Sequence, residues 1–185
     1  MATAKTPADA WVEAGLLALA EGGPDAVRVE RLAAALGVSK GGFYWHFADR
    51  RAFLDRILDR WERSAVEDVI ERLESHPADV RDRLRELFEL AMAFALSRRG
   101  AGVELAVRDW ARRDPAVAAR LRGVDDRRMA YMRSLFGELC ADDLEVEARS
   151  LMAYSVFLGQ HFVAASHGGF ARADVLRRAL DDLLR

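Results

Sequence analysis

The sequence predicts an all-α protein, a three-helix amino-terminal head followed by a larger helical body of about nine helices in all. Two observations carry that expectation. Apolar residues recur three and four apart along almost the whole chain, the period of a helix with one buried face. Those periodic stretches are separated by compact breakers, Gly22-Gly23-Pro24, Gly37, His76-Pro77, Asp114-Pro115 and Gly168-Gly169. With 185 residues, 51% apolar and 31% charged, the chain is long enough to bury a core and polar enough to stay soluble. The expected organisation is a head over residues 1–50 and a body over 51–185.

Thr6-Pro7 predicts the first helix start, a capping hydroxyl followed by proline at the first helical position. Ala10, Trp11, Ala14, Leu17 and Ala18 give that helix its apolar stripe, with Trp11 directed into the core. The second helix spans Val29–Leu36, burying Leu32, Ala33 and Leu36. Gly37 then supplies the left-handed turn, because it lacks the Cβ that penalises that backbone. Val38 docks in the angle between two helices, and Ser39 caps the next one. In that third helix Phe43 and Phe47 face inward, while Lys40, Tyr44, Trp45 and His46 stay outside. Helix, glycine turn and capped helix over about residues 28–47 form a helix-turn-helix.

From an Asp49 cap, Phe53, Leu54, Ile57, Leu58, Trp61, Ala65, Val69 and Leu73 predict one long helix to Glu74. Unbroken, it would span roughly 37 Å. Further helices are expected over Val80–Arg98, stopped by Gly100, over Gly102–Arg113, and from Asp114-Pro115 through Phe136. The last pair covers Val146–Ser166 and Ala171–Arg185 around the His167-Gly168-Gly169 turn. Phe157 with the stripe Val175, Leu176, Ala179, Leu180 and Leu183 offers more apolar surface than two helices cover for each other. A second copy supplying the same pair would close a four-helix bundle. Burial against the chain's own helices is the alternative.

Gly37-Val38-Ser39, Gly41, Phe43-Tyr44, His46-Phe47 and Asp49-Arg50 together resemble the signature of the TetR family of transcriptional regulators. The resemblance covers roughly residues 7–60. It implies a regulator rather than an enzyme, a homodimer on a palindromic operator, and repression relieved by a small effector. Carried over onto this chain, it implies DNA contacts by Arg28, Ser39, Lys40, Gly41, Gly42, Tyr44, Trp45, His46 and Arg50. Lys40 is placed to reach a base or a phosphate, whereas Gly41 and Gly42 let the backbone approach the duplex, with a thymine methyl against Gly42. Tyr44 and His46 stand where the family grips phosphate. Trp45 lies either along the sugar-phosphate edge or in the core. His46 has a structural hydrogen bond as its alternative role, and Arg50 an ion pair with Asp49 or Asp55. The family's second helix usually opens on threonine or serine. Here Arg28 and Val29 stand there, so Asp25 caps from upstream, or Arg28 touches a phosphate or merely faces solvent.

In the body, Phe88, Met92, Trp110, Met129, Met132, Tyr154, Phe157 and His161 are the ingredients of an apolar pocket suited to a hydrophobic or aromatic effector. The formal net charge of -2 announces no basic field, although a dimer needs only a local basic surface. Lysine occurs only at positions 5 and 40. Cys140 is the single cysteine, which excludes an internal disulfide and fits a cytoplasmic protein. No secretory leader or membrane span is expected, since the most apolar run, Leu151 to Ala165, is too short and contains Gln160 and His161. None of the four histidines follows a glutamate by three residues, which removes the di-iron bundle signature. Phosphate-loop and nucleophile-elbow motifs are absent, so neither metal nor cofactor is expected. An all-helical enzyme and a protein–protein adaptor are the competing classes.

Overall fold

A computed structural model describes residues 6–185, which are helical with no strand among them. Lys5 lies outside the described residues. The chain divides into two compact units. The first comprises the described part of the span up to Ala65 together with Arg98–Leu121, and the second Val66–Ser97 with Arg122–Arg185. This division departs from a cut after residue 50, because two body helices pack against the first helix of the head.

In the first unit, α1 (Ala8–Gly22) starts one residue later than expected, with Pro7 extended at the cap position and no side-chain cap. Its buried face is Trp11, Val12, Gly15, Leu16 and Leu19, while Leu17 is exposed. The expected stripe through Leu17 is therefore rotated. Gly15 explains the rotation: a Cβ there would lie 2.5 Å from Ile57 Cδ1 and 2.8 Å from Phe53 Cζ. Helix α1 approaches α4 at Gly15, where no side chain intervenes. A 3-10 turn, Pro24–Ala26, leads to α2 (Val29–Leu36), which ends on Gly37 with φ 67° and ψ 30°. The amide of Val38 donates to Ala33 O at 2.9 Å, closing the turn. Next come α3 (Gly41–Tyr44) and α4 (Arg50–Ala65), the latter capped by Asp49 through the Ala52 amide at 2.8 Å.

The helix expected to run unbroken to Glu74 ends at Ala65. Val66 leaves the helical region (φ -132°, ψ -70°), and α5 (Glu67–Glu74) begins after it. Ser64 donates back to the carbonyl of Trp61 at 2.9 Å, an internal competitor for helical bonding just before the break. The α4 rod is therefore roughly 24 Å long. Likewise α6 (Val80–Leu96) stops at an extended Ser97, and Gly100, expected as the stop, lies inside α7 (Arg98–Ala111). Within the first unit α7 lies close on α1: a Cβ on Gly102 would meet Ala20 Cβ at 2.9 Å, and Arg99 pairs with Glu13.

Helix α8 (Pro115–Gly137) begins in the first unit and continues in the second. Its Arg120 donates to Asp59 at 2.6 Å and to Glu62, both on α4. Partial burial disfavours its charge, but these carboxylates outweigh that cost and hold its pKa above the usual arginine range.

The second unit gathers α5, α6, the remainder of α8, α9 (Asp143–Gly159) and α10 (Arg172–Asp182). Asp79 and Asp142 cap α6 and α9 through the amides of Asp82 and Glu145. Leu84, Phe88, Met132, Leu135, Phe136, Ala153, Tyr154, Leu180 and Leu184 form its core. Helix α9 stops at Gly159, seven residues before the expected Ser166. Phe162 and Val163 are exposed, so the apolar composition there lacks a surface to cover and does not enforce helix. Instead Arg172 ties the segment down by donating to Gln160 O at 2.9 Å and to Val163 O. No helix among the described residues is long and apolar enough to cross a membrane.

Candidate nucleic-acid interface and apolar cleft

The candidate interface is built outward from Phe43. Its ring is fully buried, 5.5 Å from Trp11 and 5.1 Å from both Phe47 and Phe53. Phe47 completes the cluster at 4.6 Å from Phe53. These rings fix α3 against α1 and α4 although α3 is only four residues long. Two leading glycines give such a segment little helical propensity of its own, so packing must define it. With Phe43 inward, Tyr44 and Trp45 are forced out to 61% and 76% exposure. A core role for Trp45 is thereby removed.

The other predicted contacts are held differently. Lys40 pairs with Glu30 of α2 at 2.7 Å, with both side chains more than half exposed. That bond holds the Glu30 carboxyl below its usual range. Ser39 is exposed, but α3 starts on Lys40 without a side-chain cap; the Ser39 carbonyl opens the turn by accepting from the Gly42 amide at 3.1 Å. Gly41 is exposed. Gly42 is half-buried, and a Cβ there would sit 3.6 Å from the Trp11 ring. It therefore faces the head rather than a thymine methyl.

His46 was expected outside and is half-buried. Its Nε2 lies 2.8 Å from the carbonyl of Thr6, so this nitrogen carries a proton and donates. Neutral His46 then offers only an acceptor at Nδ1, and the ring gains a second N–H for phosphate only when protonated. Arg50 pairs with neither Asp49 nor Asp55. Its Nε donates to Val27 O at 2.8 Å and its Nη2 to Pro24 O, stitching the α1–α2 connection to the start of α4. Arg28 is exposed, extended just before α2, and donates to Asp25 O at 3.0 Å. No side chain caps α2, Asp25 included. Lys40's partner Glu30 and the carbonyls gripped by Arg50 escaped the sequence reading, since nothing in residue spacing signals them.

In the second unit, Phe88, Ala91, Met92, Ala153, Val156, Phe157, Gln160, Leu176 and Leu180 line a cleft of about 20 Å³. That is room for about one water, far below the 300 Å³ or more of a ligand pocket. Of the expected pocket residues, Phe88, Met92 and Phe157 line it. Met132 and Tyr154 are core residues, and Met129 packs against that core. His161 stands edge-on to Phe157 at 6.2 Å. Trp110 belongs to the first unit and is not part of the cleft.

Leu176 and Leu180, expected at a dimer interface, line the cleft in the single chain, and Leu180 is buried in its own chain's core. Val175, Leu183 and Phe157 are half-buried, and Ala179 is exposed. Beside the cleft, Tyr154 donates to Asp125 Oδ1 at 2.5 Å. Arg128 Nη1 donates to Tyr154 Oη at 3.3 Å, and its guanidinium carbon sits 5.4 Å over Phe157. Asp125 and Arg128 carried no motif that would have selected them.

Residues 12–57 match the sequence model of the bacterial regulatory proteins of the tetR family. Three solved structures are similar over nearly full length. A transcriptional regulator from Saccharomonospora viridis in complex with choline has TM-score 0.77 at 20% identity, over 96% of this chain and 94% of that one. FadR from Bacillus subtilis in complex with stearoyl-CoA has TM-score 0.71 at 15% identity, over 96% and 98%. A TetR-family regulator from Mesorhizobium loti has TM-score 0.67 at 18% identity, over 96% and 92%. No curated protein sequence matches the chain. The matched head resembles that of the tetR family of bacterial regulatory proteins, and the chain shares its fold with these solved regulators.

Proposed function

We propose that the protein is a transcriptional repressor that binds a palindromic operator as a homodimer and releases it on binding a small apolar effector. The observation that carries this reading is the division of α3. Phe43 and Phe47 are spent on the aromatic core, while Tyr44 and Trp45, with Lys40 just ahead of them, project from the same short segment. An exposed aromatic pair beside a cation suits a sugar-phosphate edge, and buried neighbours hold it in register. Arg28, Ser39, Gly41, His46 and Arg50 frame it. Gly42 serves by allowing α3 to lie close to Trp11 rather than by touching a base. In functional terms the segment through residue 50 reads DNA, and residues 51–185 bind effector and dimerise, in the cytoplasm where the DNA lies.

Dimerisation is supported by α9, whose outer face exposes Leu144, Leu151 and Met152. We infer that a second copy would cover these together with Ala179 and the half-buried Phe157, Val175 and Leu183. Two recognition segments would then meet successive major grooves, roughly 34–36 Å apart. An effector acts by its difference in affinity for the DNA-bound and released states. The narrow cleft suits a site that opens only for its ligand. Choline and stearoyl-CoA, bound by two similar structures, share no single chemistry, so the fold does not name this chain's effector.

The test is selection of bound fragments from genomic DNA by the full chain, followed by anisotropy titration across salt. Binding to an inverted repeat, weakening steeply as salt rises, is expected. A chain that stays monomeric and ignores every duplex at low salt would refute the proposal.

A further inference from the structure

Resting on the effector reading above, we infer that the amino half of α10 is a hinged lid on the apolar cleft, latched shut by Arg172, and that a ligand enters when this latch releases. The cleft of about 20 Å³ admits no ligand as it stands, so one of its walls must move. Those walls come from three helices: Phe88 and Met92 from α6, Val156 and Phe157 from α9, Leu176 and Leu180 from α10.

Of the three, α10 is the least secured. Helices α6 and α9 have 17 residues each and open on side-chain caps, Asp79 and Asp142. Helix α10 has 11 and opens on Ala171 with no side-chain cap. Its two ends are also held unequally. At the carboxyl end Leu180 and Leu184 are buried in the core, and Arg149 donates to Leu183 O at 2.7 Å. At the amino end Val175 and Leu176 are only half-buried, and Asp174 pairs with Arg177 inside the helix itself. Arg172 fastens that end. Its Nη1 donates to Gln160 O at 2.9 Å, its Nη2 to Val163 O, and its Nε to His167 Nε2 at 3.2 Å. One planar group thus ties the start of α10 to three points of the connection from α9, and Gln160 is itself a cleft wall.

Because the three bonds share one guanidinium, turning that side chain away releases them together. Leu176 then swings outward about the Leu180 and Leu184 anchor, and the cleft widens beside Met92 and Phe157. Burial of an apolar ligand offsets the lost bonds. Val175 and Ala179 ride on the same helix, so the swing also alters the α10 face offered to a second copy.

The experiment compares the full chain with Arg172→Ala by hydrogen exchange and by calorimetric titration with decanol, a neutral apolar probe. A short helix untied at one end frays there. Without decanol, the amides of Leu176 and Arg177 should therefore exchange about tenfold or more faster in the variant, while those of Asp181 and Asp182 keep the parent rate. Decanol should bind the variant about threefold to tenfold tighter, because the cost of unlatching has been removed. A tether that merely stabilises the fold would act the other way, with looser α10 and weaker decanol binding. Arg172→Lys, which keeps the charge but not the planar fork, should fall between parent and Arg172→Ala, and carries the test with the same signs if Arg172→Ala fails to fold. Unchanged exchange, or faster exchange along the whole of α10, would overturn the hinge. Faster exchange at the amino half with unchanged or weaker decanol binding would overturn the lid while sparing the effector reading. Decanol bound by neither protein would overturn the lid and the apolar effector together.

Discussion

Replacing Arg50 by alanine separates two roles that the sequence alone could not distinguish. The arginine donates to Val27 O and Pro24 O, both in the connection between α1 and α2, from the first residue of α4. Hydrogen bonds from a charged donor contribute about 1.5–3 kcal/mol when shielded, and Arg50 is exposed, so the pair together is worth about 1–2 kcal/mol. For a chain of this size that corresponds to a fall in Tm of about 2–8 °C, read by thermal unfolding. DNA affinity should fall alongside for every sequence tested, because the loosened connection no longer braces the recognition segment. The dependence of log affinity on log salt separates bracing from direct contact, since losing one phosphate contact lowers the slope by about 0.9 per protomer. An unchanged slope with a lowered Tm is expected. An unchanged Tm with a shallower slope would refute the bracing argument and make Arg50 a phosphate anchor.

Four further outcomes are expected. Glu30→Gln should tighten DNA binding at neutral pH by releasing Lys40 from its 2.7 Å pair. Because the Glu30 pKa is lowered in the folded protein, the pair is present above the ordinary glutamate range and lost as pH falls through the lowered value. Anisotropy titrations should therefore show variant and parent converging toward acid pH, and a gap that persists there would argue against competition for Lys40. Phe43→Ala removes a fully buried ring from the aromatic cluster, and denaturant unfolding should report a loss of about 3–5 kcal/mol. Gly15→Ala places a methyl 2.5 Å from Ile57 Cδ1 and should cost about 1–3 kcal/mol by the same measurement, with a neutral result showing that α1 and α4 can separate freely. Leu151→Glu with Met152→Glu should yield monomers in sedimentation without lowering helicity, since both side chains are already exposed in the single chain; a dimer that persists would move the interface elsewhere.

The amino-terminal head was legible because its information is local. Gly37 must turn left-handed, Asp49 caps α4, and Phe43 and Phe47 lie four apart, so turn, cap and buried face follow from neighbours in the chain. The breaks at Val66 and Ser97 were illegible, because both sit within runs of good helix formers and neither is glycine or proline. At both, a serine hydroxyl bonds back to a carbonyl three residues earlier, Ser64 to Trp61 and Ser97 to Phe94, and competes with the helical ladder.

The site divides the same way. Sequence determined which residue types crowd the recognition segment, since their order along a helix-turn-helix assigns them to its surface or its core. Only the tertiary structure decided what each one holds. Lys40 meets Glu30 ten residues away, His46 meets Thr6, and Arg50 meets carbonyls more than twenty residues earlier. In the second unit it brought Leu176 and Leu180 into the walls of a cleft with Phe88 and Met92, and set Arg128 over Phe157. An apolar stripe states that a face will be buried, but the hydrophobic effect has no direction. Which surface does the burying is settled only when the helices meet.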